Sequence, residues 1–281
     1  MSATPQQIYS APFDAVAGRY DDSFSSSEIG RAQRTQVWRA LRDTFHPGDY
    51  VLEIGCGTGI DACFLAERDV RVFACDSSAQ MIAVARQRVS KRGLQHFIEP
   101  FVLAAEQLST LPAEATFDGA FSNFGALNCI DDLQQFARDL TARVKPGANV
   151  VLCWIGPFCL WETAWYLAHR NRRKAFRRMQ PDGVSAVIAA GTSIQVRYPT
   201  VRQIAGIFAP QFRVKMIRGV GVAVPPSYVE DWVRHHRGLF RFFEHADTVL
   251  GRCPGVRLLA DHVLVGLQRE STEERAEAEK P

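Results

Sequence analysis

The sequence predicts a doubly wound α/β fold with layers on both faces of a mainly parallel sheet. Three observations point to it. Short β-branched runs alternate with helical stretches as far as about residue 155. The first run ends in a glycine-rich loop that opens a helix, and an acid closes the second run. Parallel strands need crossover connections, and helices of this length supply them. Taken in order, residues 1–30 read as a loop-like lead-in, with Pro5, Pro12 and the polar run DDSFSSSEIG. A helix is expected over Arg31–Phe45, broken by His46-Pro47-Gly48-Asp49. Tyr50–Ile54 (YVLEI) is a buried strand, Ile60–Arg68 a helix, and Arg71–Cys75 (RVFAC) a second strand. Ser78–Arg92 carries apolar Met81, Ile82, Val84, Ala85 and Val89 at helical spacing and closes on Gly93. Further strands are expected near Ile98–Ala104, Phe117–Ser122 and Asn149–Ile155, with a helix over Leu133–Val144 stopped by Lys145-Pro146-Gly147.

The rhythm breaks after residue 155. Gly156-Pro157 opens a segment rich in Trp and Arg, running to about Ile194. Val201–Phe208 reads as helix and Phe212–Val220 as strand. Pro225-Pro226 opens a second helical insertion to about Ala260, and Val263–Gln268 is the last strand. The expected organisation is one domain over 1–281: lead-in 1–30, core 31–155, insertions 156–193 and 222–260, and a charged tail, 271–281, too poor in apolar residues to order.

Composition narrows the function. The 281 residues are 47% hydrophobic and 22% charged, which excludes a wholly disordered chain. A net charge of +3 is too balanced to argue for nucleic acid as a partner. No apolar run is long enough to span a bilayer, and the N-terminus has no basic-then-apolar leader, so a cytoplasmic protein is expected. Seven cysteines, an odd number without a CxxC pair, read as buried thiols in a reducing compartment rather than disulfides or a metal site.

Glu53-Ile54-Gly55-Cys56-Gly57-Thr58-Gly59 follows the first strand directly. Glycines there let the chain turn tightly and let a ligand lie against the main chain, and the free N–H groups of the next helix attract a polar or anionic group. The dinucleotide pattern GxGxxG would need glycine at 60, where Ile60 stands, and the phosphate loop GxxxxGK[ST] is absent. Asp76 closes the second strand 21 residues after Gly55. An acid in that place can accept hydrogen bonds from both ribose hydroxyls of an adenosine-containing ligand. It can equally cap the next helix, a role open to Ser77 or Ser78 as well.

VLEIGCGTG, CDSSAQMI, AAEQL and FDGAFSNFGAL together resemble the class I S-adenosylmethionine-dependent methyltransferases, over roughly residues 13–155. The closest resemblance is to the small-molecule subgroup with the ubiquinone and menaquinone methyltransferases, whose lead-in is similar to FDAVAGRYDD (13–22), including Tyr20. The resemblance implies a Rossmann-like seven-stranded sheet with its last strand antiparallel, and S-adenosyl-L-methionine as cofactor. It implies that Gly55, Cys56, Gly57, Thr58 and Gly59 pass under the methionine part, with Glu53 near its amino group. Asp76, with Ser77 beside it, would hold the ribose. Met81 would pack on adenine, and Ala105, Glu106, Asn123 and Phe124 would complete the site. The subgroup often has Asp before the Ala-Glu pair, where this chain has Ala104. Adenine would then be held by main-chain groups or by Glu106.

Methyl transfer from a sulfonium needs the nucleophile held in line, and a general base only for a neutral hydroxyl, a protonated amine or a carbon acid. His169 is the leading candidate base because it lies beside an aromatic cluster, with Tyr166 next to it; Glu162, Tyr228, His235, His236 and His245 are further polar groups in the insertions. The segment after the fourth strand reads Ser122-Asn123-Phe124-Gly125, not the [DN]PP[YF] of amino-group and base N-methyltransferases. Trp154, Phe158, Trp161, Trp165 and Tyr166 precede HRNRRKAFRR (169–178). Three readings of that segment stay open: a solvated helix end; a lid whose aromatics line a site for an apolar or aromatic acceptor, with arginines at the rim or at an anionic group, and whose basic face also suits an anionic membrane surface; or an RNA contact. The sequence thus supports methyl transfer to a small hydrophobic or aromatic metabolite. A non-catalytic cofactor-binding protein or an RNA methyltransferase is the alternative, and the oligomeric state is open.

Overall fold

The strands that the sequence predicts form one seven-stranded sheet, in the order Ile98–Val102, Arg71–Asp76, Tyr50–Ile54, Phe117–Ser122, Val144–Ile155, His262–Arg269 and Phe212–Val220. The structure is a computed structural model and describes residues 11–189 and 191–271. The strands are β1 (Tyr50–Ile54), β2 (Arg71–Asp76), β3 (Ile98–Val102), β4 (Phe117–Ser122), β5 (Val144–Ile155), β8 (Phe212–Val220) and β9 (His262–Arg269). The first five run parallel, and β9 inserts antiparallel between β5 and β8. Central strands carry unbroken apolar runs because both of their faces are covered. One apolar layer centres on Leu52, Phe117, Phe136 and Trp154, the other on Val51, Leu65, Ile82 and Phe121.

The covering helices are α1 (Glu28–Thr44), α2 (Ile60–Ala66), α3 (Ala79–Arg92), α4 (Leu133–Arg143) and α7 (Val201–Phe208). Helix α1 starts three residues earlier than the sequence suggests, because the Ser27 hydroxyl accepts the Gly30 N–H at 2.8 Å and caps it. The second insertion reinforces that cap: the Glu230 carboxylate accepts the Glu28 and Ile29 N–H groups at 2.8 and 3.2 Å. Of the lead-in, Asp14–Arg19 and Asp21–Ser25 wind into short helical turns rather than loop. Residues 1–10 and the tail beyond 271 lie outside the described residues.

The first insertion is only partly helical. After α5 (Leu160–Ala168) and α6 (Arg172–Ala175) it ends in a separate antiparallel hairpin, β6 (Val184–Ala189) with β7 (Thr192–Val196). The second insertion holds α8 (Glu230–His235) and α9 (Arg237–Leu250), whose Val233 and Phe240 pack together with Val224 on Ile29 and Ala32 of α1. No helix among the described residues is long and apolar enough to cross a membrane.

Candidate active site

Strand order reverses between β1 and β4, and open α/β sheets bind ligands outside the carboxyl ends of their strands at that point. A cleft of about 1020 Å³ opens there. Its first wall is the loop after β1, where Gly55, Gly57 and Gly59 all hold left-handed φ values, 69°, 52° and 74°. Their surroundings differ. A Cβ on Gly55 would fall 2.4 Å from the Ala126 Cβ, and one on Gly59 3.0 Å from the Ala85 Cβ. A Cβ on Gly57 would meet no protein atom within 4 Å, and Gly57 lines the cleft, so the space its missing side chain leaves is ligand space.

Asp76 ties the second strand to this loop. Its Oδ2 accepts the Gly57 N–H and its Oδ1 the Ser78 N–H, both at 2.9 Å. Burial raises its pKa, against the lowering pull of those two bonds. Capping of α3 falls to Ser78, whose Oγ accepts the Met81 N–H at 3.0 Å. Glu53 lies beneath the loop, 1% exposed, and its Oε2 is buried without a hydrogen-bond partner. Burial, with Asp61 next in importance, drives its pKa well up. A buried lone carboxylate oxygen under a glycine loop suits an ammonium group, and a hollow beside Gly57 suits a chain laid along the main chain. The residues present therefore fit the cofactor that the sequence implies.

Thr58 and Cys56 play a different part. The Thr58 hydroxyl donates to Asp21 Oδ1 at 2.7 Å, and Arg88 bonds both Asp21 and the Thr58 carbonyl, which straps the lead-in onto the loop. Cys56 is buried, and burial pushes its thiol far up. Neither lines the cleft; nor do Glu53 and Gly59. Tyr20, Gly55, Asp76, Ser77, Met81, Ala105, Glu106, Asn123 and Phe124 do line it.

The opposite wall is set by a residue the sequence reading passed over. Asp61 of α2 is 5% exposed and accepts from Arg34 at 2.6 Å, Trp38 at 2.7 Å and Asn123 at 2.8 Å. Asn123 in turn accepts the Phe124 N–H at 2.9 Å, which holds Phe124 at a positive φ of 48°. The Phe124 ring carries Arg34 at 4.7 Å on one side and meets the buried His262 edge-on at 5.4 Å.

The part of the cleft formed by the first insertion differs most from expectation. The hairpin, not the tryptophans, closes the cleft: Val184, Ala186, Ile188, Ile194 and Val196 line it, while Val187 is 77% exposed. The period-two alternation of VSAVIA carries that signal in the sequence. Trp161 turns away, donating to the Ala223 carbonyl at 3.1 Å and packing on Phe243; Trp154 is core; Trp165 is exposed. The expected base His169 is not brought to the cleft. It is exposed, stacks on Trp165 at 4.5 Å and places Nδ1 2.8 Å from the Trp165 carbonyl. Tyr166 lies beneath Lys174 and Arg177 and does not line the cleft either. His235, His236 and His245 bond carbonyls of their own helices in the same way as His169. The Tyr228 side chain lies outside the described residues.

Expected arginines at a solvated face are also partly overturned. Arg178 is buried between Glu162 and Asp261, 2.7 Å from each, and Arg177 makes a bidentate pair with Glu162 at 2.8 and 3.0 Å. This network pins the first insertion to the start of β9. No cluster of metal ligands occurs among the described residues.

Residues 51–147 match a family model described as "Methyltransferase domain". The chain is similar to demethylmenaquinone methyltransferase of Thermobifida fusca (strain YX), 30% identical over 146 residues, covering 51% of this chain and 59% of the relative. It therefore spans about three-fifths of the length of such curated relatives. Among solved structures it is similar in fold to the CcbJ methyltransferase of Streptomyces caelestis, with TM-score 0.59, 14% identity and coverage of 93% and 99% of the two chains. It is also similar in fold to the [4+2]-cyclase SpnF, with TM-score 0.56, 16% identity and coverage of 85% and 81%. The glycine loop and the strand-closing acid of this sheet both fall within the segment that matches the methyltransferase-domain model, and the solved structures similar to the chain share its fold.

Proposed function

We propose that this protein transfers a methyl group from S-adenosylmethionine to a small, hydrophobic or aromatic metabolite. The observation that carries the reading is one continuous cleft with two chemistries: the Asp76 carboxylate beside the glycine loop and an apolar hairpin face elsewhere in the lining. When bound, the sulfonium supplies a methyl group that leaves a neutral thioether behind. Gly57 leaves room for the ligand's main-chain approach, and Asp76 keeps lone pairs for two hydroxyls. Glu53 offers its orphan oxygen to an ammonium, and Met81 an apolar face to a planar ring. Asn123 and Phe124 shape the wall between the two ligands.

The chain's contribution to rate is then mainly orientation and exclusion of water. Among the described residues no histidine lines the cleft. Burial raises the pKa of Tyr20 and of Tyr198, so both phenols stay protonated at neutral pH and serve as hydrogen-bond donors. The acceptor expected is one that needs no strong base. The balanced charge supports a small molecule over RNA.

Calorimetry with S-adenosylhomocysteine, followed by cofactor consumption over a panel of quinols, phenols and small acids, tests the reading. Binding at the micromolar scale, about −8 kcal/mol, with turnover on one acceptor class is the expected result; no heat with either cofactor form rejects it. A second reading has one observation behind it, that the [4+2]-cyclase SpnF is similar in fold. Binding without cofactor consumption on any acceptor would favour that non-methylating reading.

A further inference from the structure

We propose that the acceptor is an anionic amphiphile, its apolar body against the β6–β7 hairpin and its charged head held by Arg173 and Lys174. The inference rests on the functional reading above, since it names the class of molecule that fills the other half of the same cleft.

Charge is divided within the cleft. The carboxylates lining it, Asp76 and Glu106, stand with the cofactor elements; the insertion contributes Arg173, Lys174 and Arg177 and no carboxylate. Ion pairing then separates these cations. Arg177 and Arg178 face Glu162 and Asp261, two positive charges against two negative, in a network that is already neutral. Arg173 and Lys174 have no carboxylate within ion-pair distance among the described residues, and both are exposed at the mouth of the cleft. Lys174 is held over the Tyr166 ring at 5.6 Å, and the Asn171 side chain accepts its N–H at 3.1 Å, so the turn that presents the two charges is fixed. Two uncompensated cations at the mouth of a cleft raise the local potential and reward an anion with charge-assisted hydrogen bonds. The hairpin supplies the second half. Val184 pairs with Val196 and Ala186 with Ile194 across the strands, giving one continuous apolar face to the cleft. A neutral acceptor would use that face and leave the cations idle; an amphiphilic anion uses both.

The test compares octyl phosphate with octan-1-ol, both as monomers, by calorimetry on the full chain with and without S-adenosylhomocysteine. Octyl phosphate should bind about tenfold more tightly or better, with the difference shrinking as salt rises. The double variant Arg173→Glu/Lys174→Glu should lose that preference while keeping its far-ultraviolet dichroism and its S-adenosylhomocysteine affinity. Equal binding of the two probes, or an unchanged preference in the double variant, overturns the proposal. So does binding confined to phosphatidylglycerol vesicles with none to the monomer, which would make the cations a membrane contact. If S-adenosylhomocysteine fails to bind but the phosphate preference and its loss in the variant stand, the methyl-transfer reading fails and the anion site survives.

Discussion

Asp76 holds two backbone N–H groups and, in the proposed function, two ligand hydroxyls. Asp76→Ala should therefore weaken S-adenosylhomocysteine binding by about 1.5–3 kcal/mol, the cost of losing hydrogen bonds to a charged group. The pH dependence follows from the raised pKa. A carboxylate whose folded-state value lies above its ordinary one gains its proton earlier on acidification, so the charged acceptor disappears at a higher pH than for an exposed aspartate. Affinity should be flat near neutrality and fall as pH drops through that raised value, whereas Asp76→Asn should bind weakly with a flatter profile. A wild-type profile that stays flat down to the ordinary aspartate range would contradict this. Glu53 carries the same sign in the apo protein. Its folded-state pKa is raised, so its contribution to stability is greatest in acid and declines as pH rises from the unfolded value toward the folded one. Ammonium binding would reverse that penalty, so bound ligand should raise the thermal midpoint most at neutral pH.

The element that most needs explaining is the first insertion, because its sequence leaves a solvated helix end, a lid and an RNA contact open, whereas its structure is anchored. The anchor is Glu162 of α5, 2% exposed and shared by Arg177 and Arg178. Removing one member of a buried ion network leaves its partner uncompensated, which costs about 3–5 kcal/mol. Glu162→Ala should lower the denaturant midpoint accordingly and loosen the acceptor side, with S-adenosylhomocysteine affinity of the folded fraction little changed because the glycine loop lies on other elements. Trp165 lies outside this network and is 41% exposed. Trp165→Ala should leave the unfolding free energy within about 0.5 kcal/mol of wild type, as surface changes do. A comparable loss in both variants would mean that α5 is held by its aromatic face instead.

Across the whole molecule, all seven cysteines are free thiols. Cys56, Cys63, Cys75, Cys153 and Cys159 are buried, and burial pushes the Cys153 and Cys159 thiols up to about 12. Cys129 lines the cleft with its thiol pushed up to about 11, again by burial, and Cys253 is half-exposed. Brief alkylation of native protein should modify Cys253 first, Cys129 slowly and the other five only after unfolding, as read by peptide mass spectrometry. Early modification of Cys153 or Cys75 would show that the sheet opens more easily than its packing implies.

The sheet and the glycine-loop side of the cleft were legible because local rules decide them. Strand periodicity, the glycines after β1 and the acid closing β2 each act within a few residues of their own position, and Val201–Phe208 and Phe212–Val220 fall where the pattern put them. Asp61 could not be read in the same way. Its partners Arg34, Trp38 and Asn123 lie 27, 23 and 62 residues away, and nothing in its neighbourhood distinguishes it from any other acid in a helix's first turn. The tryptophans and His169 misled for the converse reason: aromatic residues near a break suggest a lid, but which way they face depends on what packs behind them. Tertiary structure alone decided that Arg178 is buried and Arg173 is not, since the acids that neutralise Arg178 come from α5 and from Asp261, 83 residues along the chain. Local backbone preference is a short-range property of sequence, whereas the partner of a charge is a property of the folded chain.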